Sequence, residues 1–130
     1  CALPIFNQEG TILIIDKIGI LHNIYASADM AWVGGGFDRD GVHNVIEPAV
    51  RNIPVLFGPI YKAYREANLL IEYQLATSCE NIEDILSAMN FYNLEFSSSR
   101  FKQQSSSFFS REVGATEKIM QLISIKSNQS

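Results

Sequence analysis

The apolar positions of this chain change period repeatedly, and the changes mark out alternating strands and helices. Thr11 to Ile15 is a continuous apolar run closed by Asp16, which predicts a strand buried on both faces, as in a parallel sheet. After Gly19, the residues Leu21, Ile24, Tyr25 and Ala28 recur at helical spacing, and Asp29 closes that helix. Met30 to Val33 predicts a second strand, running directly into Gly34, Gly35 and Gly36. From Asn44 to Arg51 the pattern is helical again, with Val45, Ile46, Ala49 and Val50 on one side. Pro54 then forces an exit into a third strand, Val55 to Phe57, closed by Gly58 and Pro59.

Further on, Tyr61 to Tyr73 predicts a helix with Ala63, Ala67, Leu70 and Ile71 inward and Lys62, Arg65, Glu66 and Glu72 toward water. Gln74 to Thr77 suits a fourth, edge strand. Asn81, with Asp84 three residues on, caps a helix whose Ile82, Ile85, Leu86 and Met89 repeat one face. Residues 1–10, carrying Pro4, Asn7 and Gly10, read as an irregular lead-in. The Ser- and Gln-rich stretch from Ser97 to Ser110, with Phe101, Phe108 and Phe109, suits either a polar helix or a loosely ordered connector. Ala115 to Ile125 is amphipathic through Ile119, Leu122 and Ile123, and residues 126–130 read as a frayed tail.

Strands alternating with helices imply right-handed crossovers and an α/β fold with a parallel sheet covered on both faces. Ligands of such sheets sit outside the carboxyl ends of the strands, here Asp16 to Gly19, Gly34 to Phe37 and Phe57 to Pro59. Three or four strands are about half of a doubly wound domain of roughly six. One sheet edge is therefore expected to be bare: either further strands precede Cys1 in a longer protein, or the piece pairs with itself.

Composition narrows the function classes. With 130 residues, 47% of them hydrophobic, the chain suits one globular domain with a single core. A formal charge of −4 argues against a general nucleic-acid surface, so any anion must be bound locally. Cys1 and Cys79 make no disulfide framework and show no metal spacing, which suits two free thiols in a reducing compartment. No window reaches the ~20 apolar residues of a membrane-spanning helix. The chain does not begin with Met, as expected of a processed or excised piece.

The candidate chemistry gathers after the second strand. Three successive glycines offer backbone that can take positive φ or let another molecule approach closely. They are not the G-x-G-x-x-G dinucleotide fingerprint, and no P-loop is present, so a hydride-transfer or P-loop role is not supported. Asn44 and Glu47 form an N-x-x-E pair that a capping arrangement explains. The same two residues, with His43, also occupy one turn facing the glycines. There an amide and a carboxylate could hold sugar hydroxyls, while imidazole and backbone N–H groups meet a phosphate. Both readings stay open. Asp38, Arg39 and Asp40 suit a solvated loop, Lys62 and Arg65 suit the surface, and His22 carries no assigned role. No Ser-His-Asp or Cys-His arrangement and no metal-ligand cluster can be argued from spacing, so no catalytic residue is assigned in this chain and no cofactor is expected.

The run IIDKIGILHNIYASADMAWVGGGF, followed by GVHNVIEPAVRNIPVLFGP and later GATEKIM, resembles the carboxyl-terminal part of the 3-deoxy-D-manno-octulosonic acid (Kdo) transferases over roughly residues 11–125. D-x-I-G, V-G-G-G-F, H-N-x-x-E-P and F-G-P in this order are specific together, although each alone is weak. The resemblance implies the carboxyl-terminal half of a two-domain, Rossmann-like enzyme of the GT-B type that binds the donor CMP-Kdo. It implies that Gly34, Gly35, Gly36, His43, Asn44 and Glu47 line the donor site, with Asn44 and Glu47 on the nucleotide or its sugar. It also implies a lipid A precursor as acceptor, held by an amino-terminal domain absent from this chain. The whole protein would sit at the cytoplasmic face of the bacterial inner membrane; this piece alone would be soluble and catalytically silent. Val42 and Val45 depart from the family, many members of which have Gly and Pro there. The alternatives are a sugar-nucleotide epimerase, another glycosyltransferase half, or a non-catalytic module that self-associates along its bare edge.

Overall fold

The computed structural model describes residues 3–7, 10–97 and 99–112. Its centre is a three-stranded parallel sheet of β3 (Ala31–Trp32), β4 (Val55–Phe57) and β5 (Ala76–Ser78), in that order. The strands are joined in chain order by α2 (Ile46–Val50) and α3 (Arg65–Glu72), and α4 (Ile82–Ser97) follows β5. Each strand is laced to its neighbour by parallel-type bonds: Val33 N–H donates to Leu56 O at 2.8 Å, Val55 N–H to Leu75 O at 3.1 Å, and Cys79 N–H to Phe57 O at 2.8 Å. Val55, Leu56 and Phe57 are all buried, so both faces of the central strand are covered, as the unbroken apolar run requires. The α/β class and the three parallel strands agree with the sequence reading, and the edge strand after Gln74 is present with its start shifted to Ala76.

Two strand readings need correction. Residues 3–7 are not irregular: β1 (Leu3–Asn7) pairs antiparallel with β2 (Gly10–Ile14), from Leu3 opposite Ile14 to Asn7 opposite Gly10. The TILII run therefore lies in a separate two-stranded sheet and not in the parallel one. Pro4 is tolerated there because every strand of a two-stranded ladder is an edge. The TILII strand thus pairs with β1 just before it in the chain and not with β3 after it. On the side of β3 away from β4, no described strand pairs.

The helices show where periodicity was a poor guide to burial. α1 (Leu21–Tyr25) is short, and Leu21 and Ile24 on its expected inner face are exposed. α3 begins at Arg65 and not at Tyr61, because residues 61–64 form a turn: Tyr64 N–H donates to Tyr61 O at 2.8 Å, and the Asn68 amide donates to Lys62 O at 3.0 Å. Its Ala67 and Leu70 are fully buried, as expected, but Ala63 is exposed. α4 carries the expected cap, with Asp84 N–H donating to Asn81 Oδ1 and Glu80 N–H to Asp84 Oδ2, both at 2.9 Å. Its buried face is Ala88 and Tyr92, flanked by Ile85, while Ile82, Leu86 and Met89 point to solvent.

The Ser- and Gln-rich stretch is helical over residues 100–112, here α5. Phe101 and Phe108 fix it to the core, edge-on to Tyr92 and Tyr73 at ring distances of 5.8 and 5.0 Å. It also reaches two turns: Ser105 Oγ donates to Asn52 Oδ1 at 2.6 Å, and Gln104 Nε2 donates to Gln74 Oε1 at 3.0 Å. Asn52 and Gln74 follow the ends of α2 and α3 with φ of 58° and 57°, the left-handed position where a helix commonly stops. The amphipathic segment 115–125, the tail 126–130 and Cys1 lie outside the described residues, whereas Cys79 is a free thiol buried at the end of β5.

Candidate functional site

β3 leads into the three glycines, which turn back on residues 41–43 as a small antiparallel hairpin. Gly36 N–H donates to Gly41 O at 2.8 Å, His43 N–H donates to Gly34 O at 3.2 Å, and Gly35 bridges Val42. Gly35, Gly36 and Gly41 have φ of 82°, 82° and 70°. At each of the three, close neighbours also exclude a side chain. A Cβ on Gly35 would lie 2.4 Å from His43 Cδ2, one on Gly36 2.9 Å from Gly58 Cα, and one on Gly41 2.4 Å from the Tyr64 ring. Gly34 is different: its φ is not positive, and a Cβ added there would meet nothing within 4 Å. Packing thus accounts for Gly35 and Gly36 but not for Gly34.

The turn that follows carries His43, Asn44 and Glu47. Asn44 Oδ1 accepts from Ile46 N–H at 3.1 Å and from Glu47 N–H at 3.4 Å, which gives the Asn44 part of the capping reading from one position before the helix's own N-cap, Val45, and without the return bond from the Glu47 carboxylate. α2 accordingly starts at Ile46, later than the expected Asn44. Pro48 sits in its first turn, where a missing N–H costs nothing. Capping occupies Oδ1 and leaves the Nδ2 hydrogens as what Asn44 can offer a ligand. His43 and Asn44 are exposed on the rim of a cleft of about 340 Å³, walled by Val42, Val45, Ile46, Tyr64 and Glu66. Val42 and Val45 are buried beneath it.

The six candidate residues are therefore not one cluster. His43 links the two parts: its ring covers Gly35 and its edge borders the cleft. Glu47 is outside the walls of that cleft. It is half-buried on the α1 side, where burial first and the Glu47 carboxylate second raise the pKa of the Tyr25 hydroxyl. Tyr64 and Glu66, which the sequence reading placed within a long helix, complete the cleft because Tyr64 stands before α3 with extended backbone, φ −104° and ψ 109°. No periodicity signal marks that residue.

The other expectations for this region are simply placed. Asp38, Arg39 and Asp40 are exposed at the hairpin tip, where Asp38 Oδ1 accepts from Asp40 N–H at 3.2 Å. Lys62 and Arg65 are exposed, and Arg65 meets Glu112 of α5 at 3.3 Å. A second, more polar hollow of about 600 Å³ opens beyond the ends of β4 and β5, with Lys62, Ser78, Glu80 and Asp84 among its walls. Among the described residues, no group of three His, Cys, Asp or Glu side chains is arranged to hold a metal ion. None of the described helices is long and apolar enough to cross a membrane.

An open parallel sheet with a glycine turn and a cleft at its carboxyl edge is the layout in which α/β domains hold their ligands. The C-terminal CMP-Kdo binding domain of WaaA from Acinetobacter baumannii has this fold, with a TM-score of 0.61 at 22% identity over 73% of this chain and 51% of that one. In sequence, the 3-deoxy-D-manno-octulosonic acid transferase of Chlamydia trachomatis serovar D is 37% identical over 113 residues, and that of Aquifex aeolicus 43% identical over 53. Over most of its length the chain is thus similar to 3-deoxy-D-manno-octulosonic acid transferases. It spans about a quarter of the length of the chlamydial relative, the match covering 79% of this chain and 26% of that protein. No family model matches the chain.

Proposed function

We propose that this chain is the nucleotide-binding part of a Kdo transferase, holding the CMP end of CMP-Kdo against the glycine hairpin and the turn at Asn44. The observation that carries the reading is the junction at His43, whose ring lies where a side chain on Gly35 would be and which lines the cleft with Asn44 and Tyr64. Likeness to the Kdo transferases supplies the class of ligand. Gly34 is the one glycine of the three whose lack of a side chain leaves open space, as a site for close ligand approach requires. The Nδ2 hydrogens of Asn44 and the imidazole of His43 suit phosphate or sugar oxygens, and Glu47 suits a sugar hydroxyl from the α1 side.

In the reaction so proposed, the bond from the sugar to the cytidylate phosphate breaks as a hydroxyl of a lipid A precursor attacks. A base must take the hydroxyl proton, and donors must meet the charge left on the phosphate. His43, Asn44 and the backbone of the hairpin suit the second task. The base, the acceptor site and attachment at the cytoplasmic membrane face are proposed to belong to the rest of a longer protein. The 130 residues alone are accordingly expected to transfer no Kdo from CMP-Kdo to a lipid A precursor, and measurable transfer would contradict this division of labour.

A second reading draws on β3, which pairs on one side only among the described residues, and on its exposed Trp32, which stacks on the exposed Phe37 with ring centroids 6.2 Å apart. A strand edge with no described partner, together with exposed aromatic surface, suits self-association of the isolated chain. Light scattering tests it: a dimer that binds no CMP favours a non-catalytic module, and a monomer removes this reading. The donor reading is tested by calorimetric titration of CMP, with absence of binding counting against it.

A further inference from the structure

We infer that Tyr64 is a positioning residue that fixes the tip of the glycine hairpin over the cleft, and so sets the affinity of the site for a cytidine nucleotide. The inference rests on the donor-binding reading for its ligand, but its mechanical half stands on geometry alone. Tyr64 leaves the turn before α3 as a braced post. Its N–H donates to Tyr61 O at 2.8 Å, and its own carbonyl accepts from Asn68 N–H at 3.2 Å and from the Asn68 amide at 2.6 Å. From this post the side chain crosses to the hairpin, where its hydroxyl donates to the backbone oxygen of Asp40. Its ring fills the space that a side chain on Gly41 would need, with Cε2 2.4 Å and Cζ 2.8 Å from an added Cβ. The same ring is a wall of the cleft bordered by His43, Asn44 and Glu66.

One side chain therefore touches both the tip of the hairpin and the space proposed for the ligand. Asp38, Arg39 and Asp40 are exposed, and the other bonds across the tip are short-range ones within the hairpin: Gly41 N–H to Asp38 O at 3.1 Å and Asp40 N–H to Asp38 Oδ1 at 3.2 Å. Those bonds hold the turn's shape, and Gly36 at the base of the hairpin is held by Gly41 O and by Ile60 N–H, each at 2.8 Å, while Tyr64 ties the tip to the turn before α3. A hairpin whose tip is tied to the turn before α3 by one hydroxyl is pre-organised for a ligand, and releasing the tip shifts its ordering cost to the moment of binding.

The test compares wild type, Tyr64→Phe and Tyr64→Ala by amide hydrogen exchange without ligand and by calorimetric titration of CMP. Tyr64→Phe keeps the ring and removes the bond to Asp40. It is expected to speed exchange at residues 38–41 and to weaken CMP binding about 3- to 10-fold, the worth of one hydrogen bond, with the melting temperature near that of wild type. Tyr64→Ala is expected to weaken binding further, and if it does not fold, Tyr64→Phe still decides the matter. Unchanged exchange at the tip, or unchanged CMP affinity with a wild type that binds, overturns the inference. A wild type that binds no CMP overturns the donor reading instead, and the exchange comparison separates the two.

Discussion

Gly36 and Gly58 stand backbone to backbone: a Cβ on Gly58 would lie 2.6 Å from Gly36 O, and one on Gly36 2.9 Å from Gly58 Cα. Gly36 O in turn accepts from Ile60 N–H at 2.8 Å. The glycine turn after β3 is thereby pressed against the end of β4, which places hairpin and cleft at one edge of the sheet. Gly58→Ala is expected to destabilise the chain by about 1–3 kcal/mol through overpacking. Gly36→Ala adds the cost of a left-handed alanine, roughly 1–2 kcal/mol. Denaturant midpoints measure both.

Gly34 provides the contrast, because it has open space around its Cα and no positive φ. Gly34→Ala is expected to leave stability within about 0.5 kcal/mol of wild type while weakening CMP binding. A variant that is as stable as wild type and binds equally well would remove Gly34 from the site.

Asn44 does two separable things in this account. Asn44→Ala loses the cap as well as the amide and is expected to cost about 1 kcal/mol of stability. Asn44→Asp retains an oxygen acceptor for Ile46 N–H but offers no amide hydrogens and brings a negative charge. It is expected to hold the melting temperature and lose CMP affinity by tenfold or more. Equal affinity in Asn44→Asp would leave the cap as the whole explanation of this residue.

Stability is expected to fall in alkali. Burial pushes up the Cys79 thiol, aided by Asp84, and burial likewise pushes up the Tyr92 hydroxyl, against a lowering by its bond to Thr77. A group with a raised pKa keeps its proton longer in the folded chain, so the unfolded chain ionises first. The stabilisation is full below the unfolded pKa values, about 8.5 for Cys and 10 for Tyr, and is lost as pH rises through them toward the folded values. Unfolding midpoints followed from pH 7 to 11 should decline from about pH 9, and Tyr92→Phe should flatten the upper part of that decline.

How far the chain could be read beforehand depended on what each signal measures. The unbroken run at Val55 to Phe57 and the cap at Asn81 are local features with one structural meaning, and both held. The TILII run gave a strand but not its partner, because pairing is decided by topology and not by the strand itself. The spacing of Ile82, Leu86 and Met89 gave a helix but not its buried face, since Ala88 and Tyr92 pack inward instead. In the site, the glycines and the Asn44 turn were legible from residue type. Tyr64 was not, because its role depends on an extended residue at a helix start that looks helical in sequence. Glu47 fell in register with Asn44 along the chain, yet it is not among the walls of the cleft, and its charge acts on the Tyr25 hydroxyl of α1.

The most direct measurement is a calorimetric titration of this chain with CMP and, separately, with UMP. The account predicts saturable one-to-one binding of CMP, weaker binding of UMP, and a marked loss of CMP affinity in Asn44→Asp. Absence of CMP binding by a folded chain, or equal affinity for the two nucleotides, would contradict it.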